Sequence, residues 1–238
     1  MKKLILVSGP SCVGKGPLLN ALVEFHPEIV YGAIPVIKSH GSRSGVPRPS
    51  EVSIWTDPRF FRGDPEFALL PKDRYVVGDC RGYPQAIDIE EITQSDVSLL
   101  IMEVYHTIGA QFYNCVYKDI DVHSVFISPI ALDDITCLKQ CGVDTDKYIV
   151  DMMIHKQIQR CSFMGRPITS QEIIDIQARA KDAVREIESV KSYKHVIVNR
   201  DGEGNPNWNM NPAGVFTGEP TGDALRTLNS FVDIINHG

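Results

Sequence analysis

Residues 4–16 have the sequence LILVSGPSCVGKG, and this stretch decides the fold. Its first four residues form an unbroken apolar run, which is typical of a parallel strand buried on both faces. The eight residues from Gly9 to Gly16, GPSCVGKG, match the phosphate-loop pattern G-x-x-x-x-G-K. Apolar residues at helical spacing follow from residue 17 to residue 25. A strand, a glycine loop and a helix in this order predict a site for nucleotide phosphates.

The composition of the loop indicates how it would hold phosphate. We expect all of its residues to line the nucleotide phosphates: Gly9, Pro10, Ser11, Cys12, Val13, Gly14, Lys15 and Gly16. Glycines let successive backbone N–H groups turn inward as an anion nest, and the helix N-terminus adds partial positive charge. Lys15 supplies a full charge for the terminal phosphates, which makes it the first catalytic candidate.

The position after Lys15 departs from the pattern. It normally carries Ser or Thr, whose hydroxyl binds Mg²⁺, but Gly16 and Pro17 stand here and neither has a hydroxyl. Proline is acceptable in the first turn of a helix, yet it also lacks an N–H. Mg²⁺ would then be held by water, by Ser11 or by an acidic side chain such as Glu103. The other possibility is that triphosphate binding is weakened.

Outward from the loop, apolar strands alternate with helical patterns. Further strands are predicted at residues 97–104, 122–127 and 195–199, and helices at residues 84–93, 130–140, 147–161, 170–192 and 222–235. The alternation predicts an α/β, three-layer P-loop NTPase fold with a parallel central sheet. Two stretches interrupt it: residues 32–82 predict an inserted subdomain, and residues 200–221 a long loop whose role stays open.

Composition and charge exclude several classes of protein. The 238 residues include 24 basic and 30 acidic ones, and the net charge of −6 argues against a general nucleic-acid binder. Hydrophobic and charged shares of 43% and 23% exclude a disordered chain and a collagen-like repeat. Scattered cysteines, the lack of a signal-peptide core and the lack of a long apolar run predict a cytoplasmic protein with free thiols and no membrane partner.

The sequence LILVSGPSCVGKGPLLNAL resembles the opening of guanylate kinases, and the resemblance extends along nearly the whole chain. The segment SHGSRSGVPRPSEV is similar to the family's monophosphate-binding segment, which implies acceptor-phosphate contacts for Ser39, Arg43 and Arg48. In GYPQAIDIEEI, Tyr83 matches the tyrosine that contacts the same phosphate. In SLLIMEVYHTIGAQF, Glu103 matches the second acid of the family's D-x-D strand. The resemblance therefore implies that these five residues bind the substrate.

The later part of the chain is similar to the lid and donor side of the same family. GRPITSQEII and IQARAKDAVREIE match the lid and the helix behind it, which implies catalytic roles for Arg166 and Arg179. YKHVIVNRDGE matches the last strand and the loop beside the donor base, which implies donor contacts for Asn199 and Arg200. The resemblance implies ATP and Mg²⁺ as cofactors and a nucleoside monophosphate as substrate. We assign no protein side chain as a metal ligand, and we expect a monomer or a homodimer.

The resemblance implies a single domain over residues 1–238, with an acceptor-binding insert at about 33–83 and an enlarged lid at about 138–170. A helix at residues 145–161 accounts for the enlargement. Independently of the resemblance, a kinase that acts on a phosphorylated acceptor needs a second anion site. Arg43 and Arg48 suit this site because a guanidinium binds phosphate bidentately. Arg160, Arg166 and Arg179 are candidates for the transferring phosphoryl group. Arg179 is equally an i,i+4 partner for Asp175.

Three hypotheses for the function remain at this point. ATP-dependent phosphoryl transfer to a nucleoside monophosphate, GMP or dGMP first, is the leading one. No glutamate matches the family's guanine-reading residue ahead of Tyr83, where Arg74 or Asp79 lies instead, so another acceptor such as a sugar phosphate is an alternative. Gly16 and Pro17 keep a catalytically silent nucleotide-binding module open. A zinc site at Cys137 and Cys141, with His155 and Cys161, competes with the simpler interpretation of buried free thiols.

Overall fold

The computed structural model describes residues 1–34, 36–38, 69–81, 83–113 and 119–238, and only the backbone of residues 37, 38, 83 and 113. Its strands are β1 (Lys2–Ser8), β2 (Ile37–Lys38), β3 (Tyr75–Cys80), β4 (Tyr83–Asp88), β5 (Leu99–Glu103), β6 (Ile120–Ser128) and β7 (His195–Val198). Its helices are α1 (Lys15–Phe25), α2 (Ile89–Gln94), α3 (His106–Tyr113), α4 (Leu132–Gln140), α5 (Thr145–Phe163), α6 (Ser170–Glu188) and α7 (Gly222–His237). Two short 3₁₀ turns lie at Ser189–Ser192 and Pro206–Trp208.

Four strands form a sheet in the order β5-β1-β6-β7. β1 pairs with β5 and β6 pairs with β7, in both cases parallel, with Ile5 opposite Ile101 and Phe126 opposite Val196. Leu4 and Ile5 in β1 are fully buried. The apolar run at the start of the chain thus forms the doubly covered parallel strand that its sequence predicts.

The chain divides into two compact units. The first consists of Met1–Val7 and Val30–Ser124, and the second of Ser8–Ile29 and Val125–Gly238. The first unit has an additional antiparallel sheet in the order β2-β4-β3 and an apolar core that includes Leu6, Leu100 and Phe112. The second unit contains the phosphate loop, the helices α4 to α7 and the loop at residues 200–221.

The helix predicted at residues 84–93 is wrong in its first half. Residues Tyr83–Asp88 form β4, which pairs antiparallel with β3, and the helix begins only at Ile89. Asp88 sets this boundary, because its carboxylate accepts a hydrogen bond of 2.9 Å from the backbone N–H of Glu90. Aspartate at the N-cap is a strong start signal for a helix, and pairing with β3 decides the residues before it.

The additional helix expected near residues 145–161 is α5. Asp144 caps its first turn by accepting from the backbone N–H of Lys147 at 3.0 Å. α5 packs against α6, and Gln157 Nε2 donates to the carbonyl of Ile176 at 3.2 Å. The segment expected as an enlarged lid therefore contains a helix that packs against α6 in the second unit.

The cysteines of the described residues are free thiols. Cys12 and Cys161 are buried, but Cys137 and Cys141 are exposed, so the interpretation of the latter two as buried thiols is wrong. Across the part of the chain that the structure describes, no cluster of three or more His, Cys, Asp or Glu residues is arranged to hold a metal ion. None of the described helices has both the length and the apolar character that crossing a membrane requires.

Candidate active site

The phosphate loop connects the end of β1 to the start of α1, and in space it lies close to the ends of β6 and β7. Gly9 has a φ of +140°, and a Cβ at this position would lie 2.3 Å from the carbonyl oxygen of Ile127. Gly14 has a φ of +102°, and a Cβ there would lie 2.5 Å from Asn199 Nδ2. Both glycines are therefore required by the close approach of the loop to the strands as well as by their backbone conformation.

Cys12 also has a left-handed backbone, with a φ of +66°, although it is not glycine. Its carbonyl accepts a hydrogen bond of 2.9 Å from the backbone N–H of Glu203. Gly202 packs against the same carbonyl, where a Cβ would approach to 3.0 Å. Residues 202 and 203 thus hold the middle of the phosphate loop in a conformation that costs free energy for a residue with a side chain.

The Lys15 side chain folds back over the first residues of the loop. Its ammonium donates to the carbonyls of Gly9 at 2.6 Å and of Pro10 at 2.9 Å, and the residue is 9% exposed. Both acceptors are uncharged, so the positive charge of the Lys15 ammonium is not neutralised by them. A phosphate group is a stronger acceptor for an ammonium ion than a carbonyl, so the arrangement is suited to binding an anion.

Asn199, one of the two residues expected beside the donor base, holds the loop in place. It is fully buried, and its Nδ2 donates to the carbonyl of Val13 at 2.7 Å. Its own backbone N–H bonds the carbonyl of Ser128 at 2.8 Å, which continues the β6–β7 pairing. Arg200, the other residue, points to Asp134, with 2.7 Å between Nη2 and Oδ2. That carboxylate keeps the pKa of Arg200 above its usual range.

The loop at residues 200–221, whose role the sequence leaves open, is folded onto the phosphate loop and the start of α7. Trp208 is fully buried and its Nε1 donates to the carbonyl of Gly202 at 2.7 Å. Asp201 Oδ2 accepts from the backbone N–H of Ala224 at 2.9 Å and from Asn207 Nδ2 at 3.0 Å. In the sequence, Trp208 could have indicated that this loop is folded, because a tryptophan is usually buried and then needs an acceptor for its N–H.

The three candidate arginines differ in their surroundings. Arg160, on α5, lies against the phosphate loop, with Nη1 3.5 Å from Cys12 Sγ and Nε 3.3 Å from Glu203 Oε2. Arg179 lies 3.7 Å from Asp175 Oδ2, which confirms the expected i,i+4 pair. Arg166 is exposed. Of these three, the structure brings Arg160 into direct contact with the loop, although the family resemblance implies Arg166 and Arg179.

Burial keeps the thiol of Cys12 protonated, and neighbouring groups keep Arg160 ionised. Burial raises the pKa of Cys12, and Glu203 raises it further, while Arg160 and Arg179 act in the opposite direction. Burial alone would lower the pKa of Arg160, but Glu203 and Cys12 outweigh it and the pKa is raised above its ordinary value. Both arginines therefore add positive potential at the middle of the loop.

Lys156 lies one helical turn before Arg160 on α5 and has no counterpart in the motifs of the sequence. Its Nζ donates to the carbonyl of Arg200, and the residue is buried. Burial lowers the pKa of Lys156, whereas the charges of Asp201 and Asp223 raise it. Lys156 therefore connects α5 to the loop at residues 200–221 through a hydrogen bond from its buried side chain.

The residues expected on the acceptor side are described only in part. Ser39, Arg43 and Arg48 lie outside the described residues, and of Tyr83 only the backbone is described, paired with Cys80. Glu103 is exposed at the end of β5, as a strand-end acid. The roles proposed for these residues stay predictions.

Arg74, which lies ahead of Tyr83, is held by acidic neighbours. Its Nη2 lies 2.7 Å from Asp88 Oδ2 and its Nη1 lies 2.9 Å from Glu90 Oε2. The Asp88 hydrogen bond is the main cause that raises the pKa of Arg74. Asp79, the other residue noted there, accepts a hydrogen bond of 2.7 Å through its backbone carbonyl from Thr107 Oγ1.

Comparisons with known proteins find similarity to guanylate kinases over most of the chain. The guanylate kinase of Trichodesmium erythraeum (strain IMS101) is 26% identical over 193 residues, which cover 79% of this chain and 95% of that protein. The guanylate kinase of Trichormus variabilis (strain ATCC 29413 / PCC 7937) is 26% identical over 207 residues, 84% of each chain. The chain is guanylate kinase-like. No protein-family model matches it.

A solved guanylate kinase supports the same assignment at the level of the fold. The crystal structure of guanylate kinase from Anaplasma phagocytophilum matches with a TM-score of 0.52 at 15% identity, and the match covers 99% of this chain and 85% of that one. The α/β P-loop NTPase fold with a central parallel sheet, expected from the first residues, is thereby confirmed for this guanylate kinase-like chain.

The loop of the guanylate kinase-like chain does not fit a metal ion held in the usual way. Between Gly9 and Gly16 the single hydroxyl belongs to Ser11, four residues before Lys15. Gly16 and Pro17 begin α1 without any side-chain oxygen, and the preceding residue Gly14 caps the helix without a side-chain hydrogen bond. A divalent cation would therefore find no ligand at the position where a phosphate loop normally provides one.

Proposed function

We propose that this guanylate kinase-like chain transfers the γ-phosphoryl group of ATP to a nucleoside monophosphate, with GMP or dGMP as the first acceptors to test. The observation that carries this proposal is the buried ammonium of Lys15, held between the carbonyls of Gly9 and Pro10 in a loop that starts a helix. The similarity to guanylate kinases over most of the chain supports the choice of acceptor.

The reaction needs positioning and neutralisation of charge rather than a general base. An oxygen of the acceptor phosphate attacks the γ-phosphorus, the bond to the β–γ bridging oxygen breaks, and ADP leaves with that electron pair. The acceptor phosphate has a second pKa of about 6, so it is already an anion at neutral pH. Lys15 and the backbone N–H groups of the loop stabilise the charge that develops on the phosphates.

The remaining roles follow the resemblance. Ser39, Arg43, Arg48 and Tyr83 are proposed to hold the acceptor phosphate, and Glu103 to contact the acceptor base. Arg166 and Arg179 are proposed to reach the transferring group from the lid. Asn199 and Arg200 are proposed to border the donor base, in addition to the contacts by which Asn199 supports the loop.

A second candidate function is phosphoryl transfer to a different phosphorylated acceptor. It is favoured by Arg74, which lies where a guanine-reading acid is expected and whose guanidinium is paired with Asp88 and Glu90. A guanidinium with two carboxylate partners has few donors left to bind a base. The test must therefore include acceptors other than guanine nucleotides.

The experiment is an acceptor panel in which ADP formation is measured above the acceptor-free rate. GMP, dGMP, AMP, dTMP, dCMP and hexose phosphates are compared at equal concentration. Preference for a nucleoside monophosphate supports the proposal, and preference for a hexose phosphate supports the second candidate. If no acceptor raises ADP formation, both proposals are wrong, and a catalytically silent module on the same fold is the remaining interpretation.

A further inference from the structure

The phosphate loop offers an anion an unusual set of charges. The residues after Lys15 provide no hydroxyl for Mg²⁺, so the protein lacks the ordinary means of placing a metal charge on the donor phosphates. A triphosphate nevertheless needs compensation for several negative charges when it leaves water. A cationic side chain of the second unit beside the loop would supply such charge.

Arg160 is in the right place to supply it. The residue lies on α5, the helix by which this chain differs from the family pattern, and its Nη1 lies 3.5 Å from the side chain of Cys12 in the middle of the loop. Gly204 packs directly against its backbone, where a Cβ would come within 2.8 Å of the Arg160 Cα. This packing fixes the backbone from which the Arg160 side chain reaches Cys12.

The guanidinium of Arg160 has one carboxylate partner, but its hydrogen bonds are incomplete within the described residues. Its side chain is 15% exposed, and the acceptor at Nη1 is a thiol sulfur, which is a weak one. Nε lies 3.3 Å from Glu203 Oε2, but within the described residues it is a buried donor that makes no hydrogen bond. A buried donor without a bond is costly and points to a partner that the ligand brings.

Lys156, one turn away on the same helix, shows what a purely structural cation looks like here. Its ammonium donates to the carbonyl of Arg200 and faces the charges of Asp201 and Asp223. Arg160 has one carboxylate, at a distance and angle that give no hydrogen bond to Nε. Both cations are largely enclosed, but in the part of the chain that the structure describes Arg160 has a donor without a hydrogen bond, which an anion can fill.

We propose that Arg160 binds the donor polyphosphate together with Lys15 and supplies the charge that a metal held by the loop would otherwise provide, so that the chain binds ATP without a divalent cation. This inference rests on the proposed function only for the identity of the donor. Arg160 is then a binding residue of the donor site, contributed by the additional helix α5.

The experiment is calorimetric titration of the full chain with ATP, and separately with tripolyphosphate, in excess EDTA and in excess MgCl₂. The wild-type chain is expected to bind both ligands in EDTA with nearly the affinity seen in MgCl₂. Arg160→Gln is expected to weaken binding in EDTA by about 10- to 100-fold, as for the loss of a charge-assisted contact. In MgCl₂ the loss is smaller, because the metal that accompanies the nucleotide replaces part of the missing charge.

Two further variants separate binding from folding. Arg185→Gln removes an exposed arginine from the last turn of α6 and is expected to bind as the wild type does in both conditions. Arg160→Lys keeps the charge without the planar fork and is expected to recover part of the metal-free affinity. The thermal unfolding of each variant is recorded, so that a misfolded protein is not mistaken for a weak binder.

Loss of wild-type binding in EDTA would overturn the inference without any variant. Equal weakening of Arg160→Gln in EDTA and MgCl₂ would also overturn it, because a merely structural residue affects both conditions alike. The titration contains no acceptor, so its outcome is independent of the acceptor panel. Metal-free ATP binding without any acceptor turnover would sink the proposed kinase function and leave this inference intact.

Discussion

Arg74 in the first unit and Arg160 in the second are both paired with carboxylates. They differ in exposure and in how many of their donors make hydrogen bonds. Arg74 is 44% exposed and bonds Asp88 through Nε and Nη2 while Nη1 meets Glu90. Arg160 is 15% exposed and has Glu203 and a thiol sulfur as partners. A well-exposed guanidinium with saturated donors is part of the scaffold. Arg160 is largely enclosed beside an anion nest, and its Nε lacks a hydrogen bond to any described residue, as suits a binding residue.

The largest effect on activity is expected in the phosphate loop. If the same substitution also destabilised the fold, Lys15 would be a structural residue as well as a binding one. Lys15→Ala is expected to lower acceptor-dependent ADP formation by roughly 1,000-fold or more, since it removes a charge placed for the transition state. The midpoint of thermal unfolding should change little. Lys181→Ala, an exposed lysine on α6, is the matched control and should keep full activity. Normal turnover by the Lys15 variant would contradict the mechanism.

The next effect tests whether the donor region depends on its supporting loop. Trp208→Ala removes a fully buried side chain and is expected to lower the free energy of unfolding by about 3 to 5 kcal/mol, as measured by denaturant titration. ATP affinity should fall as well, because Gly202 and Glu203 hold Cys12. Val215→Ala, at a position that is 60% exposed in the same loop, should leave both quantities nearly unchanged. A destabilised Trp208 variant with normal ATP affinity would show that the loop is not a support.

A smaller effect is expected where the arginine is structural. Asp88→Ala removes the N-cap of α2 and a partner of Arg74, and the cap alone is worth about 0.5 to 2 kcal/mol of stability. ATP affinity should stay at the wild-type value, because Asp88 and Arg74 lie in the first unit and the phosphate loop belongs to the second. Asp88→Asn keeps an N-cap side chain and is expected to recover most of the stability. Loss of ATP affinity in either variant would remove the distinction between the two arginine sites.

The smallest effect is a dependence of stability on pH. Because burial raises the pKa of Cys12 above its ordinary value of 9.0, the unfolded chain releases this proton before the folded chain does. The contribution of Cys12 is therefore fully present below pH 9.0 and is lost as the pH rises through the folded-state pKa. Stability curves of the wild type and of Cys12→Ser should diverge above pH 9.0 and run parallel below it. Parallel curves at every pH would mean that the thiol ionises as readily in the folded state as in the unfolded one.

What the sequence predicted well is local. Lys15 in its glycine loop, the buried strand before it and the Arg179–Asp175 pair are each fixed by neighbours within a few residues, and each is found as expected. The pairing of β4 with β3 was not predicted, since Pro84 and its successors carry no strand signal strong enough to outweigh the acids that follow. The strand arises from its partner, and the partner is not visible in the local pattern.

The contacts of Arg160 show more clearly what the sequence could not predict, namely pairs of residues that are far apart along the chain. Arg160 is 148 residues from Cys12 along the chain, and nothing in its local sequence distinguishes it from Arg166. The buried lysine at position 156 is likewise unmarked, because Lys is ordinarily a surface residue and its acceptors lie in a loop far downstream. The acceptor side keeps the status of a prediction, since Ser39, Arg43 and Arg48 lie outside the described residues.

The bond between Asn199 and Val13 spans 186 residues, and it bears on the order in which this protein matures during synthesis. The phosphate loop is synthesised well before residues 199–203, but the groups that keep Cys12 and Gly14 in their left-handed conformations belong to that segment, which follows β7. Domains generally fold as units once enough chain is available. A nascent chain halted before residue 199 would thus have a complete loop sequence without the shape that binds phosphate.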